Sequence, residues 1–419
     1  MRTRNAIRFF AMDANVIFES LLTTEGRSDP YPLYAALHQL GGAAVPMTDA
    51  VIVHGYHAID AVLRDPAFRV TDAARLDEVD PAWRDHPALA MHAILNLNPP
   101  DHSRIRAPMA RAFTKRRVSG LAPSITRMTD DLLDVMAERG ADGSPVEFMH
   151  DFAFQLPVTV ICELLGIPEA DRAGFRPLAR DLAATVEVEV DLPMLQAADA
   201  AAVRLHEYLA ALAAERRAGP RDDLVSALAA ISAPGDGGDG GAAVLTAEEL
   251  LDNLSLLLVA GFETTTNLLG NGLRVILQQP AMGDAVRNGS VPVPAFVEEV
   301  LRYDSPVQLT SRRRPGPAEV AGVHVPGGAE VIALLGAGHR DPRRFAAPDT
   351  FDPRRADVTP LSFGAGAHFC LGAALARLEG AIAFPRLLSR FPRLAAAGEP
   401  TRRTGLVLRG FETLPVTVT

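Results

Sequence analysis

Lysine is almost absent from this chain. Of 41 basic residues only Lys115 is not an arginine, and arginine alongside abundant alanine, glycine and proline is the coding habit of a GC-rich bacterial genome. That inference is compositional and carries no function. Cysteine is nearly as scarce, with Cys162 and Cys370 the only two. One lies in an apolar run and the other in a glycine-framed loop, so the pair does not suggest a disulfide scaffold. A net positive charge is missing too, and a formal charge of −10 argues against general nucleic-acid binding. Met1 to Ser20 holds Arg2, Arg4, Arg8, Asp13 and Glu19 and no long apolar run. Neither a signal peptide nor a membrane anchor is expected, and the reading is a cytoplasmic protein.

What the chain does have is material for a core: 48% of its 419 residues are hydrophobic. The pattern reads as mainly helix with short strand segments. Helices are expected at Pro30–Leu40, at the Arg-rich Asp101–Ala112 and at Ser124–Arg139, and a small sheet from Ala50–His54 with Ala329–Leu334. Pro157 to Gly166 reads as a buried helix closed by a glycine cap, which makes Cys162 core packing. Ser232 to Ala243 is rich in Gly, Asp and Pro and has nothing to bury, so it reads as a flexible surface loop. Functional signatures fall on both sides of that loop, so residues 1–419 are taken as a single domain.

The longest helix follows the loop. Thr246-Ala247-Glu248-Glu249 has the form of a capping box, and the helical pattern continues to Gln279 with Pro280 as the stop. Such a helix spans roughly 50 Å. It is apolar on most faces, so it runs through the interior, and Glu263 and Arg274 exclude a membrane span. At its middle stands Ala260-Gly261-Phe262-Glu263-Thr264-Thr265. Ala260 and Gly261 leave room for a small ligand above a planar group. Thr264 can bond to the helix's own carbonyls or to that ligand, and Glu263 can supply protons through water. The plain alternative is a threonine back-bonded to the preceding turn and a glutamate in a salt bridge.

Near the carboxyl end, Phe363-Gly364-Ala365-Gly366-Ala367-His368-Phe369-Cys370-Leu371-Gly372 frames a thiol with glycines just before a helical stretch. The unpaired N–H groups and positive dipole end of that helix would hold the sulfur as a thiolate. Gly364 and Gly366 would let the loop pass close to a flat ligand. A thiolate is an iron ligand that favours oxygen activation. Between the two signatures, Glu299-Val300-Leu301-Arg302 places an acid and a guanidinium on one helix face, in position to pair.

These runs, in this order and spread over most of the chain, resemble the cytochrome P450 family, and soluble bacterial members most closely. The resemblance implies a mainly α, single-domain P450 fold with small β-sheets and a haem between the long central helix and the proximal Cys loop. Cys370 would be the axial ligand of the haem iron. Glu263 and Thr264 would be the acid–alcohol pair that delivers protons. Ala260, Gly261, Phe363, Gly364 and Gly372 would border the haem. Glu299 and Arg302 would join Arg355 in a structural cluster on the proximal side. The absence of Cys-x-x-Cys-His implies a haem b that is not covalently attached. Ferric iron, porphyrin, thiolate and two propionates sum to about −2, so buried propionates need cations. At the family's positions stand His102, Arg106, Arg312 and His368; Arg313 and Arg314 compete for the third place, and His102 alone would pass as an ordinary helix residue. Departures are small: Ala365 and Ala367 in the loop, Ala374 and Pro360 beside it, and His339-Arg340-Asp341-Pro342 for a commoner Asn-initial run.

No flavin or iron–sulfur motif is present, so the resemblance implies electrons from NAD(P)H through an external ferredoxin reductase and ferredoxin. Arg111, Lys115, Arg116 and Arg117 form either a docking patch for an acidic ferredoxin or a solvated charged face. The expected co-substrate is dioxygen and the expected state a monomer. The pocket walls should come from Trp83–Leu97, Phe175–Leu195, Val259 and Ala260, Val307–Thr310 and Phe411–Thr413. Glu187 and Glu189 either meet a cationic substrate group or mark a half-exposed face. A mid-sized lipophilic natural product is expected, to be hydroxylated or epoxidised. Oxidative coupling or cyclisation is the second reading, and a non-catalytic haem sensor or scaffold the third.

Overall fold

The computed structural model describes residues 13–48, 50–70, 86, 88, 91–232 and 244–418. It is mainly helical, with its strands gathered in small sheets. Most of the loop expected at Ser232–Ala243 lies outside the described residues.

The central helix, Ala247–Gln278, begins on a reciprocal cap. Thr246 Oγ1 accepts the Glu249 N–H at 3.0 Å while Glu249 accepts the Thr246 N–H at 2.9 Å. The helix gives way at Gln279, and Pro280 does more than stop it. Its fixed φ and missing N–H suit the first turn of a helix, and Pro280–Arg287 starts there. Gly272 marks a close approach: a Cβ there would meet the Phe384 ring at 2.3 Å, on the helix that follows the cysteine loop.

The largest sheet has four strands. Ala50–Val53 pairs in parallel with Glu330–Ala333, flanked by Ala44–Pro46 on one edge and Thr310–Arg313 on the other. Alternation sends Val51, Val53, Val331 and Ala333 into one apolar cluster and Ile52 into another, so both faces are covered. Arg312 lies opposite Val331 and therefore projects from the same face. That face packs on Leu361 and Ala365, which sets Arg312 toward the cysteine loop.

Glu299 and Arg302, on Val293–Tyr303, are fully buried as side chains. Arg302 makes five hydrogen bonds: two to the Glu299 carboxylate (2.8 and 2.7 Å) and three to the carbonyls of His339, Pro348 and Thr350. Arg355 Nε adds a contact to Glu299 at 3.2 Å, and the Asp352 N–H donates to the same carboxylate at 2.8 Å. Every donor of the Arg302 fork is satisfied, which is what allows a guanidinium to stay buried. This cluster braces the segment leading into the cysteine loop.

Cys162 lies on Gln155–Leu165 and is completely buried, with burial pushing its thiol up to about 12. Gly166 caps that helix in the left-handed region at φ 78°.

Candidate active site

Two short 3-10 turns, Leu361–Phe363 and Gly366–His368, carry the chain to Cys370. Gly364 and Gly366 both have φ of +67°, a conformation that side chains disfavour. The reason for Gly366 differs from the one expected. A Cβ there would strike the Leu63 carbonyl oxygen at 2.3 Å, so it serves close packing of the loop on a neighbouring helix. The Cys370 N–H donates to Phe363 O at 2.8 Å, and the helix Ala373–Arg390 opens just beyond Gly372. Arg377 stacks over the Phe363 ring at 4.4 Å and pairs with Glu298. The Cys370 side chain is accessible, yet chain surrounds it, a combination that describes the wall of a cleft. Burial pushes the thiol up, opposed by the Gly372 and Ala373 N–H groups and the charges of Arg106 and Arg377. The helix terminus acts as expected, but it does not outweigh burial by itself. A cation bonded to the sulfur would complete the balance.

The basic residues form one group. The rings of His102 and His368 lie 4.3 Å apart between centroids. Both nitrogens of His102 are buried and make no hydrogen bond among the described residues. Arg106 donates to Phe369 O and feels the charge of Cys370. Among the described residues Arg312 bonds only to Thr310 Oγ1 at 3.1 Å and Ser311 O at 2.7 Å, and burial pulls it down to about 10. Among the described residues none of the four has a carboxylate partner. Burial, together with the neighbouring His102, Arg312 and Arg106, drives His368 down to about 3, and burial with Arg106 lowers His102. In the protein alone, burial thus favours the neutral form of both imidazoles beside the guanidinium groups of Arg106 and Arg312. Buried guanidinium without a counter-ion and orphaned ring nitrogens call for a bound anion. A dianionic haem edge, with Cys370 as the soft thiolate donor for its iron, fits this set.

The central helix exposes Ala260 and half-exposes Thr264 in a stretch otherwise mostly buried. Thr264 Oγ1 donates to Ala260 O at 3.1 Å, so the back-bonded arrangement is present. Glu263 is buried and ion-paired with Arg403 at 2.5 Å. Gly261 is not open space: a Cβ there would meet Ile161 at 2.9 Å, so its gap is filled by the packed helix Gln155–Leu165. Arg403 was not singled out in the sequence, because nothing local ties it to a residue 140 positions earlier.

A cytochrome P450 family model matches residues 292–406. Similarity extends much further in the monooxygenase PikC of Streptomyces venezuelae, 39% identical over 400 residues, 93% of this chain and 91% of that one. The vitamin D(3) 25-hydroxylase of Pseudonocardia autotrophica is 38% identical over 397 residues, 93% of this chain and 94% of its own. This chain belongs to the cytochrome P450 family. Among solved structures, P450BioI in complex with an acyl carrier protein ligated to hexadec-9Z-enoic acid superposes with a TM-score of 0.86 at 34% identity, covering 94% of this chain and 99% of that one. As a P450 monooxygenase, this enzyme uses a haem and takes its electrons from outside.

Two acids of this P450 are engaged within the protein. Glu187 accepts the backbone N–H groups of Leu406, Val407 and Leu408 at 2.8, 2.9 and 3.0 Å, and Glu189 pairs with Arg27. Glu187 ties the segment after Ala184–Val186 to the carboxyl-terminal loop, while Glu189 joins it to the helix Thr24–Ser28. Phe411 is buried against Arg402, whose guanidinium carbon lies 3.8 Å from the ring centroid, so it is not pocket wall at that point. Most of the expected Trp83–Leu97 wall lies outside the described residues. Among the basic patch, Arg117 pairs with the exposed Asp222 at 3.0 Å, while Arg111, Lys115 and Arg116 are exposed. Among the described residues no helix is long and apolar enough to cross a membrane.

Proposed function

We propose that this P450 inserts one oxygen atom of dioxygen into a C–H or C=C bond of a mid-sized lipophilic natural product. Electrons come from NAD(P)H through a ferredoxin reductase and a ferredoxin. The observation that carries the reading is the meeting of Cys370 with a basic group that has no acid of its own. Haem b, when bound, supplies the activation of dioxygen.

The chain's residues do the rest. Cys370 Sγ binds the iron, and the Gly372 and Ala373 N–H groups hold negative charge on it. His102, Arg106, Arg312 and His368 hold the propionates. Thr264 Oγ1, turned from Ala260 O toward the open side, offers a proton on the cleft wall. For Glu263 to resupply it, the carboxylate has to leave Arg403. The engagement of Glu187 and Glu189 elsewhere supports a substrate without a cationic anchor. The exposed Lys115 and Arg116 open the helix Lys115–Gly120, with Arg111 just before it, and that helix packs on Ala373–Arg390, which follows Cys370. That location supports docking of an acidic electron carrier.

Thr264→Ala tests the proton role. In a reconstituted system its product per NAD(P)H consumed should fall about 10-fold or more, with hydrogen peroxide rising to match. Unchanged coupling would remove Thr264 from the mechanism.

A further inference from the structure

We propose a divalent metal site at the amino-terminal end of the central helix, suited to Zn2+ and formed by His92, His206, Glu248 and Asp252. Three separate elements converge there. Glu248 and Asp252 are four residues apart on one face of the central helix. His92 belongs to the segment that runs into Leu97, and His206 to the helix Leu192–Ala218.

The donor atoms of His92, Glu248 and Asp252 all lie within 4.8 Å of one another. Small side-chain rotations bring atoms at that spacing onto one ion. His206 Nε2 lies 3.0 Å from Asp252 Oδ1, but without the alignment of a hydrogen bond. The ring is 29% exposed, but that nitrogen is buried and has no hydrogen bond among the described residues. A ring nitrogen left unsatisfied against a carboxylate oxygen is an arrangement that a shared cation resolves. Asp252 is held for the purpose: its side chain is 3% exposed, and Oδ2 accepts the His92 N–H at 2.6 Å. Asn253 accepts the Ile94 N–H at 2.9 Å and donates to His92 O at 3.3 Å, docking the whole segment on the helix. Two imidazoles with two carboxylates favour Zn2+ over Mg2+ or Ca2+, which prefer all-oxygen sets.

The site is separate from the haem cleft, since Asp252 stands eight residues, about 12 Å, before Ala260. A bound ion would fasten the 91–97 segment and the helix Leu192–Ala218 to the central helix. The competing explanation is a plain His206–Asp252 ion pair with His92 near by.

Calorimetric titration of tag-free, EDTA-treated holoenzyme with ZnCl2 separates the two. A single saturable Zn2+ per chain is expected. His92→Ala and His206→Ala should each weaken it about 100-fold or more, since loss of outer-sphere partners alone costs 10–100-fold. Glu248→Gln, at an exposed position, should weaken it without touching the fold, and His324→Ala, on a distant strand, should leave it unchanged. An unaltered haem spectrum in each variant shows that it is folded. Absence of saturable binding, or binding that survives both histidine changes, would overturn the site.

Discussion

Cys370→Ser should abolish turnover while leaving the chain folded. Serine is nearly isosteric with cysteine, so the turn that presents it, held by the Cys370 N–H to Phe363 O bond, keeps its shape. The chemistry does not survive. In the native loop the Gly372 and Ala373 N–H groups and the charges of Arg106 and Arg377 act against burial to favour a thiolate. Those same groups are far too weak to ionise an aliphatic hydroxyl, and a neutral oxygen donor does not push electron density as a thiolate does. The expected result is activity at the background of the redox system, with a thermal unfolding profile close to the parent's. Product formation at a measurable fraction of the native rate would overturn the assignment of Cys370.

Glu299→Ala should be the most damaging change away from the cleft. Removing the carboxylate takes two hydrogen bonds from Arg302 and one each from Arg355 and Asp352. Arg302 has no access to water, so it is left with a buried charge that only carbonyl dipoles oppose. Breaking one side of such a pair costs about 3–5 kcal/mol. Against a typical total of roughly 5–15 kcal/mol, that is a large share. The variant should unfold at markedly lower temperature and lose haem on gel filtration, because the cluster braces the chain that leads into the cysteine loop. Haem content and melting near the parent's would show that Glu299 carries little of the proximal framework. Glu299→Gln, which keeps the shape and some hydrogen bonds, should fall between the two.

What could be read from the chain was what is written locally. The central helix announces itself through Thr246 and Glu249, three residues apart, and two short apolar runs mark Ala50–Val53 and Glu330–Ala333 as strands of one small sheet, while their parallel direction is seen only in the structure. The P450 family was legible because Cys370, its glycines and the acid–alcohol pair occupy two short runs. Relationships across long separations were not. Ile161 fills the gap at Gly261, Arg403 takes Glu263, and Glu187 spends its carboxylate on three amides some 220 positions away. Each is a tertiary choice that no periodicity reports. The helix Leu192–Ala218 is not read from the sequence, because alanine on both its buried and open faces blurs the apolar stripe.

The central claim is that Cys370 binds haem iron as a thiolate. The carbon monoxide difference spectrum of the freshly purified, dithionite-reduced protein tests it most directly. A strongly red-shifted Soret band is the predicted result. A band at the position typical of histidine- or thiol-ligated haem, in a sample that is folded and loaded, would contradict it.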